Sequence, residues 1–382
     1  MTGEAPGIEE FRAELTAWIE DHDGELKPPY DGHGTTNEIL DHQKSVQRRL
    51  YDDGFMRWGW PTSVGGLGGT PLLRAVLGEE LTVRALVHTS AFSMPEVLGP
   101  AVVAFAEPAL AAQVVPPMLR GEELWCQGFS EPDAGSDLGS LRTVAREEVD
   151  GWRISGQKLW TSWADHAVRC VVLARTGEPD SGSVGISAFF LDMDSPGVTV
   201  RPLETMAGVD EFCELHFDEV LVPAGRMLGE RGGGWAVTQH ILGCERGPIF
   251  WQRSAWLLRH LHELAELVRP GSDEDARVIG NAFADVAALR ARSRTTQRRI
   301  AAGDLPGPEA SIDKILIAAA EQSVFDAGRE LLTGIVEIGD GPLSDRWRKE
   351  WIYSRAATIY GGTGEIQRDI VAGRLLKLPS RS

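Results

Sequence analysis

Glu245 is one residue whose neighbours could suit it to move a proton. It stands in LGCERGPI, with Arg246 beside it and Gly243, Gly247 and Pro248 around it. On a helix it shares a face with Ile241 and Ile249, four residues away on either side. It lies at the edge of an apolar stripe of Val237, Ile241, Cys244, Pro248 and Trp251. A carboxylate there is partly desolvated, which raises its pKa toward working pH and suits a general base. The glycines and the proline thin and bend the helix, leaving room for a ligand. The competing reading is a solvated helical glutamate paired with an arginine. A second chemical signal is Gly361-Gly362-Thr363, where consecutive glycines let backbone N–H groups approach an anion closely. Aromatic and hydroxyl residues gather in WCQGFSEPDAGSDLGS (125–140) and GQKLWTS (156–162). Phe129 and Trp160 could equally be core aromatics.

The elements that carry these residues fall into three runs. Residues 8–118 read as helical, with apolar spacing over 9–20, 37–53, 72–87 and 108–119, and a glycine-rich loop WGWPTSVGGLGGT between. Residues 122–230 hold short β-branched runs such as AVRCVVLART and CELHFDEVLVP, which reads as antiparallel β. No βαβ alternation is present. Residues 231–382 return to helix, over 235–267 with an interruption at Gly247-Pro248, then 276–302, 311–332 and 347–378. The expected domains are 1–121, 122–230 and 231–382, mainly α with a central antiparallel β-domain.

Composition narrows the function. The chain has 382 residues, enough for two or three domains, and a net charge of −18. That acidity argues against nucleic acid and anionic membranes as partners. The start, MTGEAPGIEEFRAEL, lacks the basic and apolar regions of a signal peptide, and no run is long enough to span a bilayer, so a cytoplasmic protein is expected. Cys126, Cys170, Cys213 and Cys244 show no C-x-x-C spacing, so neither a disulfide framework nor a metal site is expected. All four read as small buried residues.

Three strings together carry a resemblance: WCQGFSEPDAGSDLGS, GQKLWTSWADHAVRCVVLART and IYGGTGEIQRDIVAGRLLKLP. In their order and separations they look like the signature segments of the acyl-CoA dehydrogenase family. WGWPTSVGGLGG and LGCERG extend the likeness across nearly the whole chain. The resemblance implies an N-terminal helical domain, a β-barrel-like middle domain and a C-terminal four-helix bundle. FAD would lie between the last two, partly held by a neighbouring subunit. The implied activity is α,β-dehydrogenation of an acyl-CoA thioester. A base takes the α-proton, and the flavin takes the β-hydride that no side chain accepts well. An electron-transfer flavoprotein or similar acceptor would then reoxidise the flavin.

Residue by residue, the likeness assigns Gln127, Phe129 and Ser130 to the flavin edge. Trp160, Thr161 and Ser162 match the Trp-x-Thr segment that covers the ring and reaches N5. Ser136 matches a serine near the cofactor phosphates and the pantetheine arm. Thr363 and Glu365 fall in the turn that meets the FAD diphosphate or ribityl region. Many members carry a catalytic Glu right after the Tyr of the last motif, but here Tyr360 is followed by Gly361, so that base is missing. A second branch supplies the carboxylate from the first long C-terminal helix, before an Arg, and Glu245-Arg246 match it. Gly361 keeps the backbone N–H that binds the thioester carbonyl in relatives, a contact worth about 2.7–4 kcal/mol in other oxyanion holes. Tyr360 and Arg246 would line the substrate side.

Departures concern the ADP half of the FAD site. Residues 257–280 contain no Phe-Gly pair, and the usual glycine-rich run is blurred into ELLTGIVEIGDG. A phosphate ligand from a partner chain is one alternative. The assembly expected is a homodimer or tetramer, or a heterotetramer. Alternative activities on the same fold are an acyl-CoA oxidase, a flavin monooxygenase or action on a carrier-protein thioester. A partner subunit without catalysis is the alternative from another class.

Overall fold

The structure is a computed structural model that describes residues 4–30, 34–208, 211–268, 271–304 and 306–379. Five longer helices come first: α1 Ile8–Asp21, α2 Thr36–Asp52, α3 Leu72–Val83, α4 Met94–Phe105 and α5 Pro108–Leu119. α1 buries Phe11, Leu15 and Ile19, the spacing of one helical face. α2 starts on a reciprocal cap. The Glu38 N–H donates to the Thr35 hydroxyl at 3.3 Å, and the Glu38 carboxylate accepts from the Thr35 N–H at 2.8 Å. α3 stops at Val83, short of the expected residue 87, because Ala85 turns to φ +57°. α4 escaped the sequence reading. It is apolar almost all round, so it has no periodic stripe to detect.

Eight strands follow: β1 Trp125–Gly128, β2 Val144–Glu148, β3 Gly151–Ser162, β4 Arg169–Arg175, β5 Ile186–Asp192, β6 Val198–Leu203, β7 Phe212–Pro223 and β8 Met227–Leu228. Their order is β6-β7-β3-β2-β4-β5-β8, with β1 paired to β4. The sheet is mixed, not purely antiparallel as expected. β1 runs parallel to β4, and β2 meets β4 in one parallel bridge, Val144 to Arg175. Hairpin spacing seen in sequence could not reveal these non-sequential pairings. β4 alternates its side chains between two cores: Val171 and Leu173 join the N-terminal helices, while Cys170, Val172 and Ala174 face the other side. Cys126, Cys170 and Cys213 are free and buried, and Cys244 is half-buried.

The chain ends in helices α6 Gly234–Cys244, α7 Phe250–Val268, α8 Asp273–Ala301, α9 Ala310–Leu331, α10 Pro342–Ser354 and α11 Gly364–Ile370. Leu257, Leu261, Val286, Leu289, Val324, Phe325 and Trp347 form the bundle core of α7 to α10. α8 opens on Ser272, whose hydroxyl accepts from the Asp275 N–H at 3.1 Å. Acidic residues fill its first turn and Arg298 and Arg299 its last, which suits the helix dipole. The helix expected over 347–378 is broken. α10 ends at Ser354, a single 3-10 turn follows, and Gly361 and Gly362 take φ of +62° and +94° before α11 begins. Left-handed residues cannot continue a right-handed helix. No helix among the described residues is long and apolar enough to cross a membrane, and no group of three or more potential ligands is placed to hold a metal.

Candidate active site

Two kinks in the chain create the centre of the site. The first lies between α6 and α7, where residues 245–249 form one wide π-type turn and Gly247 takes a non-helical ψ of −112°. Pro248 has no N–H, so the helical bond back to residue 244 cannot form. The second is the left-handed pair Gly361-Gly362. The two kinks meet. A Cβ built on Gly361 would lie 2.9 Å from Glu245 Oε1 and 3.2 Å from Lys314 Cε. The carboxylate of Glu245 therefore reaches the spot where a side chain at position 361 would begin.

Burial raises the Glu245 carboxyl, and the charges of Arg246 and Lys314 oppose that rise. The carboxylate makes no hydrogen bond or ion pair among the described residues. Arg246 likewise makes none; burial lowers its pKa while Glu245 and Asp313 pull it back up. The Gly361 N–H also has no partner among the described residues. Its carbonyl accepts from Gln367 Nε2 at 3.2 Å, and the Gly362 carbonyl accepts from the same amide at 3.4 Å. Thr363 caps α11, its hydroxyl accepting from the Ile366 N–H at 3.3 Å. Glu365 is exposed in the first turn of α11.

Tyr360 belongs to a partly buried polar lattice that sequence reasoning missed. Its hydroxyl donates to Glu321 at 3.0 Å, and Arg253 donates to the same carboxylate at 2.8 and 3.1 Å. Burial and the Glu321 charge raise the Tyr360 hydroxyl well above its ordinary value. Tyr353 donates to Glu211 at 3.1 Å, and burial raises both groups. These partners lie on separate elements, so no local spacing announces them.

The second cluster is built where β1 meets β3. The β3–β7 ladder slips between Lys158 and Thr161, a bulge that places Trp160 at φ +62° and leaves its side chain 58% exposed. A bulge with a left-handed bulky residue is a strained feature of the kind found at functional sites. The Ser130 carbonyl accepts from the Leu159 N–H at 2.9 Å. Phe129 is buried, and its carbonyl accepts from Lys158 Nζ at 3.1 Å. Lys158 is itself fully buried and pairs with Glu131 at 2.8 Å. Burial drops its pKa to about 8 against the pull of Glu131. Glu131 also accepts from the backbone of Arg142 and Thr143, at 2.6 and 2.9 Å, which ties the motif loop to the start of β2. Neither Glu131 nor Lys158 stood out from its sequence position. Gln127 Oε1 and Thr161 Oγ1 are buried without a hydrogen-bond partner among the described residues. Ser162 is half-buried at the end of β3, paired with Phe212. Ser136 is exposed on the loop after Glu131, with no side-chain hydrogen bond among the described residues.

A relay of aromatic rings joins the two clusters. Trp160 meets Phe212 edge-on at 6.0 Å, Phe212 stacks on Tyr353 at 6.4 Å, and Tyr353 lies 6.3 Å from Tyr360. Glu245, Arg246, Tyr360, Gly361 and Thr363 thus gather at one end, and Gln127, Phe129, Ser130, Trp160, Thr161 and Ser162 at the other. Ser136 and Glu365 stay outside both clusters. The orphaned oxygens of Gln127 and Thr161 and the exposed Trp160 indole, on strands β1 and β3, fit a planar, hydrogen-bonding group such as a flavin.

Comparison with known proteins agrees with this architecture. Family models described as acyl-CoA dehydrogenase N-terminal, middle and C-terminal domains match residues 8–122, 126–220 and 232–376. The acyl-CoA dehydrogenase IpdE1 of Mycobacterium tuberculosis is 34% identical, covering 97% of this chain and 98% of that one. Among solved structures, the Tcur3481-Tcur3483 steroid ACAD is 24% identical with a TM-score of 0.84, covering all of both chains. The ChsE4-ChsE5 complex from Mycobacterium tuberculosis is 23% identical with a TM-score of 0.83, covering 99% of each chain. Helical domains before and after a mixed sheet in the chain, with these matches, define a flavin-dependent oxidoreductase. The chain belongs to the acyl-CoA dehydrogenase family, whose members use FAD.

Proposed function

We propose that this chain carries out FAD-dependent α,β-dehydrogenation of an acyl-CoA thioester with Glu245 as the base. The observation that carries the reading is the convergence of the half-buried Glu245 carboxylate with the Gly361 backbone N–H, neither of which has a hydrogen-bond partner among the described residues. Glu245 takes the α-proton. The Gly361 N–H donates to the thioester carbonyl oxygen and stabilises the charge that develops there. Bound FAD would supply the acceptor for the β-hydride. Gln127, Phe129, Ser130, Trp160, Thr161 and Ser162 would hold its ring system, and Thr363 and Glu365 would lie toward its ribityl or diphosphate part. Ser136 and Arg246 would meet the substrate's CoA side, and Tyr360 would wall the acyl group.

The domains in this reading are 1–121, 122–230 and 231–382. Exposed Trp160 and Ile359, close to the two clusters, suit cover by a second subunit, as homo-oligomer or heterotetramer. An electron-transfer flavoprotein or similar acceptor completes turnover. Glu245→Gln tests the reading. The variant is expected to stay yellow and to lose on the order of 10²–10⁴ in the rate of flavin bleaching by acyl-CoA. Full activity would eliminate Glu245 as the base.

A further inference from the structure

Lys314 enters no ion pair among the described residues, although it is only 2% exposed. A buried ammonium without a carboxylate in contact is unusual, because such charges are normally paired. Its Nζ donates to the Ala357 carbonyl and stands 4.6 Å from the centre of the Tyr360 ring. Lysine has three donors, so these two contacts leave it capable of more. Glu245 is in a related situation: a half-buried carboxylate with no hydrogen bond or ion pair among the described residues. The two groups approach Gly361 together, Glu245 Oε1 at 2.9 Å and Lys314 Cε at 3.2 Å from the same Cβ position. Glu321, the other carboxylate near Lys314, is already held by Arg253 and Tyr360.

We infer that Lys314 is a positioning residue whose charge, held back from contact by the Ala357 carbonyl, adds to that of Arg246 in favouring the ionised form of Glu245 while leaving the carboxylate free to take a proton. A direct ion pair would occupy the carboxylate and weaken it as a base; without Lys314, Arg246 alone would oppose the rise that burial causes. The charged and titratable groups facing the pair are Arg246 beside Glu245, Glu321 on α9, Arg253 on α7 and Tyr360 in the turn. Burial lowers the Lys314 ammonium to about 8 even though Glu245 and Glu321 raise it. It is therefore charged at neutral pH and lost above that value.

The inference gives the proposed base its setting and rests on that reading, but the two fail separately. The test is the pH titration of the carboxyl infrared band that disappears in Glu245→Gln, recorded on the flavin-loaded enzyme. Lys314→Met is expected to raise the midpoint of that band by on the order of 1 unit. Lys314→Arg, which keeps the charge, is expected to restore it. An unshifted midpoint in Lys314→Met overturns the inference, and so does an equal shift in both variants, which would make packing the cause. If Lys314→Met does not fold, the wild-type enzyme carries the test: the carboxylate band must change a second time as pH passes about 8. Absence of that step overturns the inference. Full turnover by Glu245→Gln would remove the base reading and leave the titration result standing.

Discussion

Adding one methyl group at residue 361 should disturb both stability and chemistry, by amounts that can be worked out in advance. Gly361 has φ +62°, where an alanine costs about 1–2 kcal/mol. In a chain of 382 residues that corresponds to a fall in Tm of roughly 1–3 °C. The new Cβ would also stand 2.9 Å from Glu245 Oε1 and 3.2 Å from Lys314 Cε, so the carboxylate must retreat by several tenths of an ångström. Misplacing a reacting group by about 1 Å costs roughly 10² in rate. Gly361→Ala should therefore lose about 10- to 100-fold in the anaerobic stopped-flow rate of flavin bleaching. A panel of short, branched and sterol-derived acyl-CoAs serves as probe. Gly362→Ala is the control: at φ +94° it carries comparable backbone strain, but its Cβ meets Gln367 Nε2 at 2.4 Å instead of the carboxylate. It should lose stability with a smaller loss of rate. If Gly361→Ala melts early yet bleaches at the wild-type rate, the carboxylate does not sit against residue 361 and the reasoning collapses.

Other consequences lie away from the proposed base. Lys158→Met strands Glu131 as a buried charge, so unfolding in denaturant should show a loss of about 3–5 kcal/mol. Retained stability would mean that water reaches Glu131. His260 is buried against Trp256, Phe325 and Trp347, and burial, reinforced by the Arg259 charge, drops its pKa to about 3. A depressed histidine makes the folded state refuse a proton that the unfolded chain accepts. Stability should be independent of this group above about pH 6.5 and fall by about 1.4 kcal/mol per unit as pH drops from there toward 3. His260→Phe should flatten the acid limb of a Tm-against-pH curve; an unchanged slope would place the sensitivity elsewhere.

Local sequence carried a good deal of the fold. Apolar spacing located α1, α2, α5, α8 and α9 to within a few residues, because each must bury one stripe against neighbours. The break at Gly247-Pro248 was legible from residue chemistry alone. Where the reading failed, a different force ruled. α4 has no polar face to contrast with its apolar one, and the expected last helix is cut by two left-handed glycines that a helical pattern cannot register.

By itself, the sequence determined which residue types were available for chemistry: a carboxylate in an apolar helix edge, a glycine pair in place of a side chain, and an indole-hydroxyl string in a strand. Their types and order are properties of the chain, as is the missing carboxylate at position 361. Only the tertiary structure decided that Glu245 and Gly361, more than a hundred residues apart, share one small space. It also decided that Lys314 stands across that space and that Lys158 finds Glu131 under the motif loop. These pairings join different helices and strands. Their energies come from burial, and burial exists only once the layers have packed.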